Sequence, residues 1–376
     1  MKAGKFEILR PPAFLLSLGV IKIQKQQVMK TIIIFAVSVY LWAGWSSPAV
    51  LSATEELPSP VVKPVVNRGY LPVILEMIDN AGESIEFIQL GFNYDPTVKK
   101  VQDSLKAAVE RGVKVRGILE NDSYSNSKSN KFLNRLGIES ILDTTKKATH
   151  NKLFIVDGDE VLIGSTNLSG NSIDNNNESN LYVKDPRLGA FFQDYFEKLL
   201  KDSYAEPEME VLELPGVRTV INRQHFDALF GLLTGAKKRI RVLMYGMKYY
   251  TGRNAEDSRT NRLIESLVAA RRRGVDVKVI LDRSDYNKIL NKINTATREY
   301  LEEGSVKVRF DPEEITTHAK VVIADDQVMI GSANWGYLAM EVRNESSLIV
   351  SVPEVVAFFE DYFMKIWDED RVIGNQ

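Results

Sequence analysis

The chain has 376 residues, 44% of them hydrophobic and 26% charged, the profile of a folded protein with room for two ordinary domains rather than a disordered one. It has no cysteine, which excludes disulfides and thiolate metal sites, and only three histidines, too few for the usual multi-histidine zinc centre. Chemistry that is metal-free, or that holds its metal by carboxylates, is therefore expected, with no cofactor called for.

The N-terminus differs from the rest. Met29-Lys30 precedes the apolar run TIIIFAVSVYLWAGW and the small-residue stretch SSPAVLSA, the layout of a secretory signal peptide. The run is short of the roughly 20 apolar residues that a spanning helix needs. Export to a secreted or periplasmic location is expected, with cleavage after Ala49 or Ala53. Anchoring through residues 31–46 is the alternative, and it would suit translation from Met1 rather than Met29. Residues 1–53 hold six of the 48 Lys and Arg and one of the 50 Asp and Glu, which leaves 42 against 49 and a net charge of −7 on the body. Such a body lacks the broad basic footprint of a sequence-independent nucleic-acid binder.

After a linker at 54–65, the chain repeats itself. KAAVERGVKVRGILEND (106–122) resembles VAARRRGVDVKVILDRSD (268–285), each a helix with a glycine stop followed by an alternating strand. THNKLFIVDGDEVLIGSTN (149–167) resembles THAKVVIADDQVMIGSAN (317–334), and FFQDYFEKLL (191–200) resembles FFEDYFMKIW (358–367). The order is the same in both copies. A proline-containing acidic stretch at 206–217 separates a first half, 66–205, from a second, 218–376. Each half reads as helix, strand, helix, strand, a hairpin and a closing helix. The fold class is α/β: two similar sandwich halves, each with a mixed, mostly parallel sheet flanked by helices, related by a pseudo-twofold axis.

Two of the three histidines occupy equivalent places in the repeat. His150-x-Lys152 leads to Asp157, then to Gly164-Ser165-x-Asn167 and Asn177-Glu178; His318-x-Lys320 leads to Asp325, Gly331-Ser332-x-Asn334 and Asn344-Glu345. Residues i and i+2 of a strand share a face, so each histidine shares one with its lysine. Lys152, Lys320, Ser165, Asn167, Ser332 and Asn334 are donors suited to phosphate oxygens. One imidazole can attack phosphorus while the other protonates the leaving oxygen, each oriented by a carboxylate, for which Glu178 and Glu345 are the candidates. His225, in NRQHFDALF, has no partner motif and is read as structural. Six residues separate Asp157 from Gly164 but five separate Asp325 from Gly331. Because the downstream spacing recovers, the lost residue is placed in the turn. A loss within the strand would flip Ser332 and Asn334 to the other face.

This pattern resembles the HKD motif of the phospholipase D superfamily, over roughly residues 66–368. The resemblance implies a single site between the halves of a monomer, with His150 as nucleophile and His318 as general acid. It makes Glu178 and Glu345 the histidine-orienting carboxylates, and casts Asp157 and Asp325 as supports that do not react. It implies a metal-independent phosphodiester hydrolase working through a phosphohistidine. Export and the acidic body favour a phospholipid at a membrane surface as substrate, releasing phosphatidate. The alternative is an exported endonuclease acting on DNA or RNA. A cardiolipin-synthase-like transferase is ranked lower for want of a pair of N-terminal spanning helices, and a non-catalytic anion-binding protein lower still. The segments GFNYDPT (91–97) and MYGMKYYTGRN (244–254) are expected near the cleft, with aromatic residues that suit bases or lipids equally.

Overall fold

A computed structural model of the chain describes residues 58–373 except 145, 146, 203 and 205. The expected signal peptide or anchor at 1–53 lies outside the described residues. The first half runs β1 (Val61–Val66), α1 (Tyr70–Asn80), β2 (Ser84–Gln89), α2 (Pro96–Glu110), β3 (Lys114–Leu119), α3 (Tyr124–Arg135), β4 (Glu139–Leu142), β5 (Lys152–Val156), β6 (Glu160–Gly164), β7 (Ser179–Lys184) and α4 (Pro186–Lys201). After the short β8 (Glu213–Leu214), the same succession returns. It runs β9 (Val217–Ile221), α5 (Gln224–Gly235), β10 (Arg239–Met244), α6 (Arg259–Arg272), β11 (Asp276–Leu281), α7 (Lys288–Glu303), β12 (Lys307–Phe310), β13 (Lys320–Ala324), β14 (Gln327–Gly331), β15 (Ser346–Val350) and α8 (Pro353–Ile373). No described helix is long and apolar enough to cross a membrane.

The first sheet has the order β1-β7-β6-β5-β2-β3-β4; the second is β12-β11-β10-β13-β14-β15-β9-β8, the same order with one edge strand added. Both are mixed, but the expectation of mostly parallel pairing needs correction. Only β2-β3-β4 and β10-β11-β12 pair in parallel, and every other neighbour is antiparallel. Parallel neighbours need a long crossover, and each half has just two that return beside their starting strand. The strand at 61–66 went unread because of Pro64. That proline is tolerated because β1 is an edge strand, paired only with β7.

Strand alternation divides the apolar residues between three layers. Leu153 and Ile155 of β5 and Val321 and Ile323 of β13 enter one buried cluster shared by both halves. Phe192, Phe196 and Leu199 of α4 join them there with Phe359 and Phe363 of α8, at the spacing of one helical face. Phe154 turns instead to the outer core of the first half, and Val322 to that of the second. The described residues from 58 to 373 thus form one compact unit with the two halves fused across a common core.

The missing residue of the second copy lies in the turn. Val156 pairs with Glu160 across three residues, whereas Ala324 pairs with Gln327 across two, and Leu153–Ile163 and Val321–Ile330 keep equivalent register. Asp157 and Asp325 open these turns with φ of 50° and 52°, a conformation that aspartate tolerates better than most residues. The Asp157 carboxylate accepts from the backbone N–H groups of Gly82, Glu83 and Ser84 at 2.8–2.9 Å. Asp325 accepts from those of Lys237, Lys238 and Arg239 at 2.7–2.9 Å. These aspartates sit at the far end of the strand from the histidines, roughly 20 Å away at ~3.3 Å per residue. They tie each hairpin to the start of the neighbouring strand and do not surround the site.

Burial opposes ionisation of both aspartates, but the N–H donors outweigh it and hold both below the ordinary carboxylate range. Their contribution is therefore present above about pH 4 and lost as pH falls through the folded value. Asp157→Ala and Asp325→Ala should each lower stability by about 1–2 kcal/mol at neutral pH. Urea unfolding should show the loss shrinking below pH 4, while the titrations of His150 and His318 stay unchanged.

Candidate active site

The histidines stand two residues before β5 and β13, on segments that pair with the other half. His150 N–H donates to Asn344 O at 2.8 Å, and His318 N–H donates to Asn177 O at 2.9 Å. Asn344 N–H donates back to Ala148 O at 3.2 Å, and Asn177 N–H to Thr316 O at 2.8 Å. Each half thus holds the histidine strand of the other.

The carboxylates follow the same crossing. His150 Nδ1 lies 3.0 Å from Glu345 Oε2, and His318 Nδ1 lies 3.0 Å from Glu178 Oε2. Glu178 and Glu345 are fully buried, and the histidines are 4% and 8% exposed. Burial pushes His150 down to about 3 and outweighs the opposing pull of Glu345; it also lowers His318 despite Glu178. Both imidazoles are therefore neutral near pH 7. Each Nδ1–H donates to its carboxylate and leaves the Nε2 lone pair for chemistry. Burial pushes Glu345 up, but the charges of its neighbours outweigh it and hold it near 2; Glu178 is lowered for the same reason.

Ser165 and Ser332 do something other than expected. Ser165 Oγ donates to Glu178 Oε2 at 2.5 Å and accepts from Ser179 N–H at 2.8 Å. Ser332 Oγ donates to Glu345 Oε2 and accepts from Ser346 N–H at 3.1 Å. A hydroxyl has one proton, and here it is spent on the carboxylate, so these serines orient the glutamates rather than a substrate. The preceding glycines make room for this. A Cβ on Gly164 would collide with the Ser179 carbonyl, and one on Gly331 with Ser346 and Ser347.

Lys152 and Lys320 are 2% and 3% exposed, and each Nζ donates to the carbonyl of the histidine two residues before it. Burial lowers both, Lys320 to about 8, against the pull of the glutamates. The charge of Lys320 acts on Lys152, and that of Lys152 on His318, so the six groups form a single cluster. Two protonated lysines would balance the two glutamates, and a phosphodiester entering the cluster would bring one negative charge in excess. Asn167 and Asn334 are half-buried, and each has an amide oxygen shut off from solvent with no partner. These two oxygens accept nothing from the described residues. Among the described residues no group of three or more His, Asp or Glu is placed to hold a metal ion.

His225 is a satisfied core residue, with Nδ1 2.7 Å from Asn222 O and Nε2 2.8 Å from Ser347 Oγ. Sequence reading missed the acids that anchor the histidine segments. Asp143 accepts from Thr149 N–H at 2.5 Å; Asp311 and Asp282 accept from Thr317 N–H at 2.9 and 2.8 Å. The signal was present, because Asp143 and Asp311 both stand seven residues before their histidines. Tyr245, from the segment 244–254 expected near the cleft, meets the His318 ring edge-on at 4.6 Å.

Two halves that exchange histidine-orienting carboxylates around paired lysines define a phospholipase D-type phosphodiester site. The family described as cardiolipin synthase, phospholipase D-like domain matches residues 74–200 and 229–367, and the chain belongs to it. Cardiolipin synthase B of Escherichia coli (strain K12) is 24% identical over 317 residues, covering 75% of this chain and 74% of that protein. A mitochondrial cardiolipin hydrolase of Danio rerio is 30% identical over 202 residues, covering 48% and 82%. The crystal structure of phosphatidylserine synthase from Haemophilus influenzae Rd KW20 shares the fold at a TM-score of 0.66 and 12% identity, over 82% of this chain and 86% of that one.

The crossed pairing is directly testable. In histidine NMR titrations, Glu345→Gln should shift the resonances of His150 and leave those of His318 in place, and Glu178→Gln should do the reverse. His150 of the wild type should stay neutral until the pH nears 3.

Proposed function

We propose that the chain transfers phosphatidyl groups between alcohols, with a phosphohistidine as intermediate. The observation that carries this reading is the crossed pair of Glu-held histidines, which puts two Nε2 atoms of equal preparation at one lysine-lined cleft. His150 Nε2 attacks the phosphorus of a phospholipid. A P–N bond forms as the P–O bond to the headgroup breaks, and His318 Nε2 gives its proton to the departing oxygen. The phosphate charge that enters an otherwise neutral cluster favours the protonated His318 that this step needs. The acceptor alcohol then returns a proton to His318 and attacks phosphorus, freeing His150. Lys152, Lys320, Asn167 and Asn334 donate to the non-bridging oxygens throughout.

Alcohol rather than water as acceptor is supported by the name of the relative that spans three quarters of the chain, and by a cavity of about 770 Å³ beside the site. Hydrolysis is the second reading, favoured by the match to a protein named a cardiolipin hydrolase. Export through residues 29–53 would place either activity outside the cytoplasm.

With phosphatidylglycerol vesicles, the wild type should form cardiolipin and free glycerol, with EDTA present or absent. An acid-labile phosphoenzyme should accumulate on quenching. His150→Asn should abolish both, a loss of about 10⁴-fold or more. His318→Asn should slow turnover by about 10²–10⁴-fold. Phosphatidate without cardiolipin would establish hydrolysis instead. Cutting of single-stranded DNA with the vesicles untouched would overturn the lipid substrate.

A further inference from the structure

The residues around the reacting phosphorus are duplicated, one set from each half, as suits an atom near the pseudo-twofold axis. Beside them the duplication fails on one side. β2 and α2 are joined by six residues, β10 and α6 by fourteen. In the first half the short connection is bound directly to the segment that follows Asn167. Asp95, which caps α2, accepts from Gly170 N–H at 2.8 Å, and Thr97 Oγ1 donates to Asp174 at 2.5 Å. In the second half the long loop stands off. Tyr250 OH accepts from Tyr337 N–H at 2.9 Å, at the position equivalent to Gly170, and the cavity of about 770 Å³ opens beneath it. Its walls include Tyr245 and Asn334 at the catalytic end, and Arg343 and Glu345 come from the segment that carries the carboxylate.

Arg343 is the unusual member. It is half-buried, and its guanidinium has no ion pair or hydrogen bond among the described residues. The neighbouring Asn344 carbonyl receives the His150 N–H, which places Arg343 one residue from the nucleophile's own anchor. Its charge is felt by both His150 and Lys152. The equivalent residue of the first half is Asn176, which is neutral. Other charges in the cavity wall are engaged or exposed: Arg259 lies 3.5 Å from Glu341, and Lys248 sits at the exposed rim over the Tyr250 ring. A partly desolvated, unpaired guanidinium is costly unless something anionic completes it.

We propose that this cavity is a subsite for a second phosphate of the substrate, bound by Arg343 while the first reacts at His150. The inference deepens the phosphatidyl-transfer reading and rests on it. The groups for the reacting phosphate come in pairs, so a cation present in one half alone serves the part of the ligand that lies off the axis. A glycerol bridge between two phosphodiesters, as in cardiolipin or in a phosphatidylglycerol acceptor poised over the phosphoenzyme, supplies an anion three carbons from the reacting phosphorus.

Calorimetric titration of the intact chain with glycerol 1,3-bisphosphate and with glycerol 1-phosphate tests this without relying on turnover. The wild type should bind the bisphosphate about tenfold more tightly, the worth of one charge-assisted contact. Arg343→Asn, which installs the residue of the other half, should erase that preference while both ligands still bind; Arg343→Lys should keep part of it. Equal affinities in the wild type, a preference that survives Arg343→Asn, equal losses for both ligands or binding of neither would overturn the subsite. Failure of the phosphatidyl-transfer reading shows separately, as vesicles left unchanged by a protein whose bisphosphate preference is intact.

Discussion

Everything at this site depends on the exchange of two glutamates between the halves. Glu345 belongs to the second half and orients His150 of the first; Glu178 belongs to the first and orients His318 of the second. A fully buried carboxylate without a partner is among the costliest groups a protein can hold. Each glutamate therefore has to be met by the histidine across the axis and by the serine of its own half. The backbone bridges at Thr149–Asn344 and Asn177–Thr317 fix the same crossing in the main chain. A half on its own would expose a carboxylate built for another half's imidazole. Folding of the two halves together and the geometry of the site are consequently one requirement, met alongside the shared apolar core between the sheets.

The duplication is kept where the chemistry is symmetric and dropped where it is not. The histidines, lysines, serines, asparagines and glutamates recur at matching positions, and so do the anchors Asp143 and Asp311. Around them the copies diverge. Tyr245 packs on His318, where the first half has Leu90 at the equivalent position. Trp335 and Leu168 occupy equivalent bridges, and Arg343 replaces Asn176. The duplicated cage treats the two imidazoles alike, and the walls around them are what differs between the halves.

Much of this was legible in the residues, because a pattern that occurs twice at constant spacing carries its own control. The turn deletion is a case in point. Equal spacing from Asn167 to Asn177 and from Asn334 to Asn344 confined the loss to Asp325-Asp326, and the paired register agrees. The serines were misread because a hydroxyl beside a histidine suits a phosphate oxygen as well as a carboxylate; only the strand pairing of β6 with β7 brings Ser165 against Glu178. The crossing was not legible at all, since pairing within a half satisfies the same residues. The share of parallel pairing was overestimated from helix–strand alternation, which says nothing of where a hairpin inserts into a sheet.

The buried acids show what the arrangement costs and how the cost is distributed. Burial raises Asp143 to about 7, Asp282 to about 6 and Asp311 to about 8, the last also through its neighbour Asp282. Raised carboxyl groups hold protons that the unfolded chain would release, so what they contribute to stability is lost as pH rises from about 4 towards 8. The lowered histidines act in the opposite sense. They refuse protons that the unfolded chain would take up, so stability is lost as pH falls below about 6.5. Between pH 4 and 6.5 the two slopes oppose each other. The acids that pin Thr149 and Thr317, and the histidines those threonines precede, thus offset one another across the range in which either set alone would make the site fragile.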